Sequence, residues 1–244
     1  MTKDLLWKRI SLETIAIVGA ILLAFAVDAW WESRRVQAAE HQFLQALVLD
    51  LQETKRRMTG FGLRLRDRQG AIGNALVIFG SSNQGSAIEL ENLLWPISIA
   101  STFETNGATL ERMIETEEFR SLESPTVQRK LMSVITRIGY FQQSDLRRAD
   151  FWHNTVAPYT IKYAAIYKFI IRQDSNELGY GLPTEAKGID IQPELHAFYS
   201  NREFANILFL MLPLNADAGF RLDRVETEIE ELLALIESEY GITI

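Results

Sequence analysis

The chain has 244 residues, which is long enough for one sizeable domain beside a short anchor. Its formal net charge of -7 argues against a nucleic-acid binder, because phosphate backbones require a basic face, while 47% hydrophobic and 23% charged residues are ordinary for a chain that buries a core. It contains no cysteine, which excludes disulfides, thiolate metal sites and cysteine nucleophiles.

The first element is an apolar segment close to the N-terminus. Its uninterrupted part, residues 14–27, is shorter than the roughly 20 residues that usually span a bilayer, so length alone is not decisive. Trp7 on one side and Trp30 and Trp31 on the other lie about 35 Å apart along a helix, a spacing that matches the aromatic belts at the two faces of a membrane. Only a poor cleavage site precedes the bulky tryptophans. These flanks predict an uncleaved membrane anchor.

The anchor divides the chain into three parts. They are a short tail over residues 1–9, a transmembrane anchor over residues 10–31 and a helical extramembrane domain over residues 32–244. Slightly more basic residues precede the anchor than follow it closely, namely Lys3, Lys8 and Arg9 before it and Arg34 and Arg35 after it. Because basic flanks stay in the cytoplasm, this balance favours a single-pass protein of a bacterial inner membrane whose domain lies in the periplasm.

Small side chains recur along one face of the anchor, at Ala16, Gly19, Ala20 and Ala24. Such a surface lets another membrane helix approach closely, which makes it a candidate helix-packing face. The alternative is that alanine is simply common in membrane helices. We therefore expect the lipid bilayer and other integral membrane protein subunits as partners, and a homo-oligomer remains open.

The chain continues as a helix after the anchor, with apolar residues spaced alternately by three and four. This spacing defines a first seam consisting of Leu44, Leu47, Leu51, Thr54, Met58, Phe61 and Leu65. Four glycines weaken the second half of the helix, so we expect one long helix with a bend or break among Gly60, Gly62, Gly70 and Gly73. The helix should end at the polar loop 80–85.

Capping residues mark the helices in the middle of the chain. Ser86 with Glu89 predicts a short helix, and another is expected over residues 109–119. Ser124 followed by Pro125 predicts a strong helix start, because serine caps free amides and proline suits the first helical position. The buried stripe of this helix is expected to consist of Val127, Leu131, Val134, Ile135 and Ile138.

The last third of the chain also reads as helix. We expect a kink at Pro158, and several glycines predict an exposed loop over residues 174–192. Ser200 with Glu203 predicts the next helix start, and Pro213 suggests a kink before the last helix. That helix contains a second seam, consisting of Leu222, Val225, Ile229, Leu232 and Ile236.

The two seams carry opposite charge. The first is flanked by Lys55, Arg56, Arg57, Arg64, Arg66 and Arg68, and the second by Asp223, Glu226, Glu228, Glu230, Glu231, Glu237 and Glu239. Complementary charge predicts that the two helices pack against each other, although the basic run could instead dock an acidic partner or lipid headgroups. No segment alternates as a strand does. We predict an all-α fold with one N-terminal transmembrane helix running into an extramembrane bundle of long antiparallel helices.

Side chains that could carry chemistry are scattered. No second histidine or cysteine stands at ligand spacing from any of the three histidines, so neither a metal site nor a cofactor is predicted. Trp152, Tyr159 and Tyr163 share one helical face and have polar tips, which makes them a candidate partner or ligand surface. The alternative is that they form core with a partly exposed edge.

The stretch 19–34, which ends in Asp28, Trp30, Trp31, Glu32 and Arg34, resembles the opening of a family of uncharacterised bacterial single-pass membrane proteins. Anchors in that family end in an acidic or amide residue, tryptophan, an acid and arginine. The stretch 103–110, leading to Phe119 and Leu122, is similar to a second recurrent stretch of the family. The resemblance implies an N-terminally anchored helical domain, and it supplies no active site.

Three classes of function are compatible with these features. The first is a non-enzymatic accessory or structural subunit that packs on and stabilises a larger membrane complex, of respiratory, transport or light-harvesting type. The second is a ligand-sensing helical module that signals through a partner protein. The third is an enzyme, for which the sequence assembles no catalytic site. We favour the first interpretation, because neither catalytic motifs nor an output domain are recognisable.

Overall fold

The computed structural model describes residues 3–80, with side chains from residue 17, together with residues 112–163 and 200–242. Between these ranges it also describes residues 89, 92, 94, 96, 97, 102, 103, 110, 197 and 198. The predicted helix start at Ser86 and the predicted loop 174–192 lie outside the described residues.

Five α-helices have both of their ends within the described residues. They are α1 (Lys3–Gly80), α2 (Glu117–Arg120), α3 (Pro125–Phe151), α4 (Ala157–Tyr163) and α5 (Arg202–Tyr240). A π-helical turn, Trp152–Val156, joins α3 to α4. No strand occurs among the described residues, and the predicted all-α class is confirmed.

The first helix runs for 78 residues without interruption. The expectation of one long helix is confirmed, and the break expected among its glycines does not occur. The reason is tertiary: a β-carbon on Gly62 would lie 2.9 Å from Leu222 Cδ2, so the missing side chain lets α5 approach α1 closely. Packing against α5 compensates for the weak helix propensity of glycine at this point.

The helix ends follow local hydrogen bonding. Ser124 caps α3 by accepting a hydrogen bond from the Val127 amide at 3.1 Å, which confirms the predicted start. The start of α5 is one residue later than predicted, because Asn201 rather than Ser200 accepts the Glu203 amide, at 2.8 Å. Within the short helix expected over 109–119, the described residues Leu110, Arg112 and Met113 are helical, and residues 114–116 form a turn. The separate helix α2 follows, because the hydroxyl of Thr116 caps it by accepting a hydrogen bond from the Phe119 amide.

Both internal prolines are accommodated without ending a helix. Just before Pro158, the Ala157 amide donates to the Trp152 carbonyl, which makes the wider turn of a π-helix. The irregularity thus precedes the proline instead of lying at it. In the last helix, α5 continues through Pro213 as one element, although this residue lacks an amide donor.

The helix α5 lies between α1 and α3 and runs antiparallel to both. Lys55 pairs with Glu230 at 2.8 Å and Arg66 with Asp223 at 3.8 Å, which confirms the predicted packing of the two oppositely charged helices. The partnership of α3 with α5 was not predicted. It includes ion pairs from Lys130 to both Glu228 and Glu231.

The seams form the larger of two hydrophobic cores. The predicted stripe on α3 is buried, except for Ile135, which is partly buried. Phe103 from the connection before α2 enters this core and makes edge contacts with Phe61 and Phe141, each at 5.5 Å between ring centres. A fully buried side chain of this kind contributes about 1.5–3 kcal/mol, so the seams supply most of the stability of the bundle. The principal buried residues of the larger core are Leu44, Leu47, Leu51, Met58, Phe61, Val127, Leu131, Val134, Phe141, Leu222, Val225, Ile229, Leu232 and Ile236.

A hydrogen-bonded clasp joins three elements where α1 enters the bundle. The hydroxyl of Tyr240 donates to Glu40 Oε1 at 2.8 Å and accepts from the Ser124 amide at 3.1 Å. The Glu123 amide donates to the same Glu40 oxygen at 2.8 Å. Glu40 is buried. The pKa of Tyr240 is raised to about 12, mainly because its hydroxyl is partly shielded from water and also because it is hydrogen-bonded to Glu40.

Replacing Tyr240 with phenylalanine should destabilise the bundle, because the Ser124 amide loses its acceptor and Glu40 loses a donor. We expect Tyr240→Phe to lower the free energy of unfolding in urea by about 1–3 kcal/mol, the usual cost of an unmade buried hydrogen bond. Tyr140→Phe is the matched control, since the Tyr140 side chain is 49% exposed. Equal stability of the two variants would contradict the clasp.

The carboxylates of α5 that face α3 should make the bundle acid-labile. The hydrogen bond from Lys130 is the main reason that the pKa of Glu228 lies below its usual 4.5. Burial alone raises the pKa of Asp217, but hydrogen bonds from Ser144 and Arg221 outweigh it and hold this pKa below 3.8. The resulting stability is fully present above the ordinary pKa values and is lost as the pH falls through the lowered ones.

We therefore expect the thermal midpoint to fall as the pH decreases from about 5 to about 3. A double variant, Asp217→Asn with Glu228→Gln, should be less stable at neutral pH and should lose less stability on acidification. The exposed pair Glu237→Gln with Glu239→Gln is the control. If the double variant and the control showed the same acid dependence in circular dichroism melts, these two carboxylates would not be its source.

Candidate functional site

The outer half of α1 projects from the bundle. Every side chain from residue 17 to residue 38 is exposed, and burial begins with Ala39 and Glu40. The exposed set contains large apolar side chains on all sides of the helix, namely Ile17, Val18, Ile21, Leu22, Leu23, Phe25, Val27, Trp30, Trp31 and Val36. Soluble monomers rarely expose a continuous apolar surface of this extent, so this segment is the first candidate site.

An aromatic and basic group ends the apolar segment. The rings of Trp30 and Trp31 lie 6.1 Å apart, and the guanidinium of Arg34 lies 5.5 Å from the centre of the Trp30 ring. Glu32 forms an exposed ion pair with Arg35 at 3.5 Å. Amphipathic rings beside cationic side chains are typical of the boundary between an apolar and an aqueous phase.

The other predicted residues of this helix are placed only in part. Gly19, Ala20 and Ala24 are exposed, and no atom lies within 4 Å of a β-carbon built on Gly19. Ala16 and Trp7 belong to α1, but their side chains lie outside the described part. In the residues that the structure describes, no helix is both long and apolar enough to cross a membrane. The predicted anchor begins among residues whose side chains are not described.

The predicted aromatic surface belongs to the second hydrophobic core. Tyr159 is 5% exposed, stacks on Phe204 at 5.6 Å and donates its hydroxyl hydrogen to the Ala197 carbonyl. Trp152 donates from Nε1 to the Ile97 carbonyl at 3.0 Å. Tyr163 is partly buried, with its ring 4.8 Å from Tyr159. The three residues do come together, with two of their polar tips occupied inside the protein.

A groove of about 600 Å³ lies between α4 and the first part of α5. Five residues provide its apolar walls, and polar side chains complete the lining; the apolar residues are Pro158, Tyr159, Tyr163, Ile207 and Leu210. The polar set includes Asn154, Thr155, Lys162, Arg202, Glu203 and Asn206. This combination of apolar walls with several polar groups suits a small ligand, so the groove is the second candidate site.

A polar layer separates the two cores, and sequence reasoning missed it. Arg68 of α1, Asp145 and Arg148 of α3 and Asn215 of α5 are each 4% exposed or less. Arg148 donates to Asp145 at 2.9 and 2.7 Å, and the Phe103 amide donates to the same carboxylate at 2.8 Å. The sequence pattern does not distinguish these residues, because they occupy positions that continue the apolar stripes. They come together only in the folded protein.

The layer also holds the connection between α1 and α3. Arg68 Nε donates to the Pro96 carbonyl at 3.0 Å, and burial together with the charge of Arg148 lowers the pKa of Arg68 to about 10. Asn215 donates from Nδ2 to the Met211 carbonyl at 2.9 Å, whereas its buried Oδ1 has no hydrogen-bond partner in the structure as described.

Metal-binding clusters of three or more suitable side chains do not occur within the described ranges. His41 and His153 are exposed on α1 and on the π-helical turn, and His196 lies outside the described residues. Comparison with models of known protein families, with curated proteins and with solved structures finds no match.

The polar layer gives a sharp prediction about Asp145. Replacing it with asparagine leaves Arg148 buried without its anionic partner, so Asp145→Asn should lower the free energy of unfolding by about 3–5 kcal/mol. Asp150→Asn, on the same helix but exposed, should have little effect. Urea denaturation of both variants measures the difference, and a loss at Asp145 no larger than that at Asp150 would refute the structural role of the layer.

Proposed function

We propose that the protein is a non-enzymatic, single-pass accessory subunit of a bacterial inner membrane, anchored by residues 10–31. In this proposal the helical domain 32–244 lies in the periplasm and packs on a larger complex of integral membrane subunits. The observation that carries it is the continuity of α1, which passes without a break from an exposed apolar half into the buried first seam.

The exposed half needs an apolar environment. Leu22, Leu23 and Phe25 are between 63% and 67% exposed, and transferring such a side chain from water into an apolar phase gains about 1.5–3 kcal/mol. Because the apolar residues surround the helix, a bilayer covers them better than one protein groove does. Trp30, Trp31 and Arg34 would then lie at the headgroup level.

The stiffness of α1 supports a structural role. From Trp31 to Ala39 the helix remains exposed for about 12 Å, at roughly 1.5 Å per residue, before it enters the core. A flexible linker would be enough to keep a domain near a membrane. An unbroken helix also fixes the distance and the direction of the bundle, which is useful where the bundle must meet a neighbouring subunit.

A ligand-sensing module is the second candidate function. The observation that favours it is the groove beside Tyr159 and Tyr163, which has both apolar walls and polar groups. A ligand there would contact α4 and α5, and the signal would have to pass to a partner protein. A small molecule retained in the groove during native mass analysis would promote this function over the first.

The anchor can be tested by alkaline extraction of membranes. We expect the full chain to stay with the lipid after carbonate washing and the double variant Leu22→Arg with Phe25→Arg to be released, because charge in the bilayer core is costly. Leu49→Arg with Leu63→Arg is the matched control, since these leucines are 66% and 55% exposed on the bundle half of α1. Release of the wild-type chain would overturn the anchor.

The accessory role is tested on the same preparations. After gentle detergent extraction, native mass analysis should find the chain together with another integral membrane protein. A strictly monomeric wild-type species would exclude the accessory role while leaving the anchor intact.

A further inference from the structure

A small basic pocket opens on the face where α3 meets α5, away from both candidate sites. Its volume is about 130 Å³, and its lining consists of Arg137, Tyr140, Phe220, Arg221 and Arg224. Three guanidinium groups and two aromatic rings thus surround one small space in a chain whose net charge is -7. A local excess of arginine against an acidic background gives the positive potential that a negatively charged ligand requires.

Neighbouring side chains orient the three guanidinium groups. Arg221 donates from Nε to both oxygens of Asp217, at 2.9 and 3.0 Å. Arg137 Nε lies 3.9 Å from Glu228 Oε1, and the Arg224 guanidinium lies 5.6 Å from the centre of the Phe220 ring. These contacts orient the side chains through Nε or the flat face and do not use the terminal Nη groups. The terminal groups are the ones that form a fork around an oxyanion.

The supporting carboxylates do not neutralise the pocket. Asp217 forms ion pairs with both Arg221 and Arg147, and Arg147 Nη2 lies 3.2 Å from Asp217 Oδ2. Asp217 also accepts a hydrogen bond from Ser144. Glu228 is shared between Arg137 and Lys130. Each carboxylate therefore faces two cations, and the pocket keeps a positive excess. Arg224 forms no ion pair with any described residue.

We propose that this pocket binds an oxyanion, a phosphate or carboxylate group that sits between the Nη groups of Arg137, Arg221 and Arg224. Its volume admits one such group and excludes a nucleotide. Tyr140 and Phe220, 49% and 61% exposed, stand beside the opening and suit a flat apolar neighbour of the anionic group. The oxyanion could be a free ion or a group carried by a larger molecule. Only the larger molecule would also contact the rings of Tyr140 and Phe220.

Titration calorimetry on the purified full chain, in non-ionic detergent at low salt, tests the proposal with two probes. Inorganic phosphate represents the free ion, and phenyl phosphate represents the same group on an aromatic body. We expect one site for phosphate. Tighter binding of phenyl phosphate would assign the pocket to an oxyanion carried by a larger molecule, and equal binding would assign it to the free ion.

Variants locate the site. Arg224→Gln with Arg137→Gln should weaken phosphate binding at least about tenfold, the effect of losing a charge-assisted hydrogen bond. Arg129→Gln, which removes an exposed charge from the same helix α3, should leave it unchanged. Circular dichroism melts confirm that the variants fold. Absence of binding by the wild-type chain, or equal binding by the pocket variant and the Arg129 control, would overturn the proposal.

Discussion

The close approach of α5 to α1 is the constraint on which the rest of the structure depends. Gly62 leaves room for Leu222, and around this contact the two seams interlock over the length of the bundle. Because α5 is then held against α1, its other side is available for α3, and Phe103 fills the space between Phe61 and Phe141. The same packing keeps α1 rigid across its glycines, so that its outer half leaves the bundle in a defined direction.

Sequence periodicity predicts the larger core well, because three-four spacing places apolar side chains on one face whatever that face meets. Opposite charge predicts the pairing of α1 with α5. The pairing of α3 with α5 was missed, although Lys130, Arg137 and Arg147 of α3 all form ion pairs with α5. Glycine propensity alone predicts a break that tertiary packing prevents. Among the candidate sites, spacing groups Trp152, Tyr159 and Tyr163 correctly. Only the fold reveals that two of their polar tips are occupied and that a groove adjoins Tyr159 and Tyr163.

The polar layer gives the bundle a property that neither core has by itself. Apolar seams tolerate slippage by one helical turn, whereas the hydrogen bonds from the Phe103 amide to Asp145 and from Arg68 to the Pro96 carbonyl are made in one arrangement only. Residues Arg68, Asp145 and Asn215 come from three helices and are far apart in the chain, so no local pattern could identify them.

The central claim is that the outer half of α1 crosses a bilayer and continues rigidly into the bundle. The absence of cysteine allows single spin labels to be placed along α1 and their exposure to oxygen and to a water-soluble nickel reagent to be compared in lipid vesicles. The account predicts that residues 17–27 are reached by oxygen and shielded from nickel on every face, with the boundary between Trp31 and Val36. Nickel access throughout this segment, or shielding confined to one helical face, would contradict it.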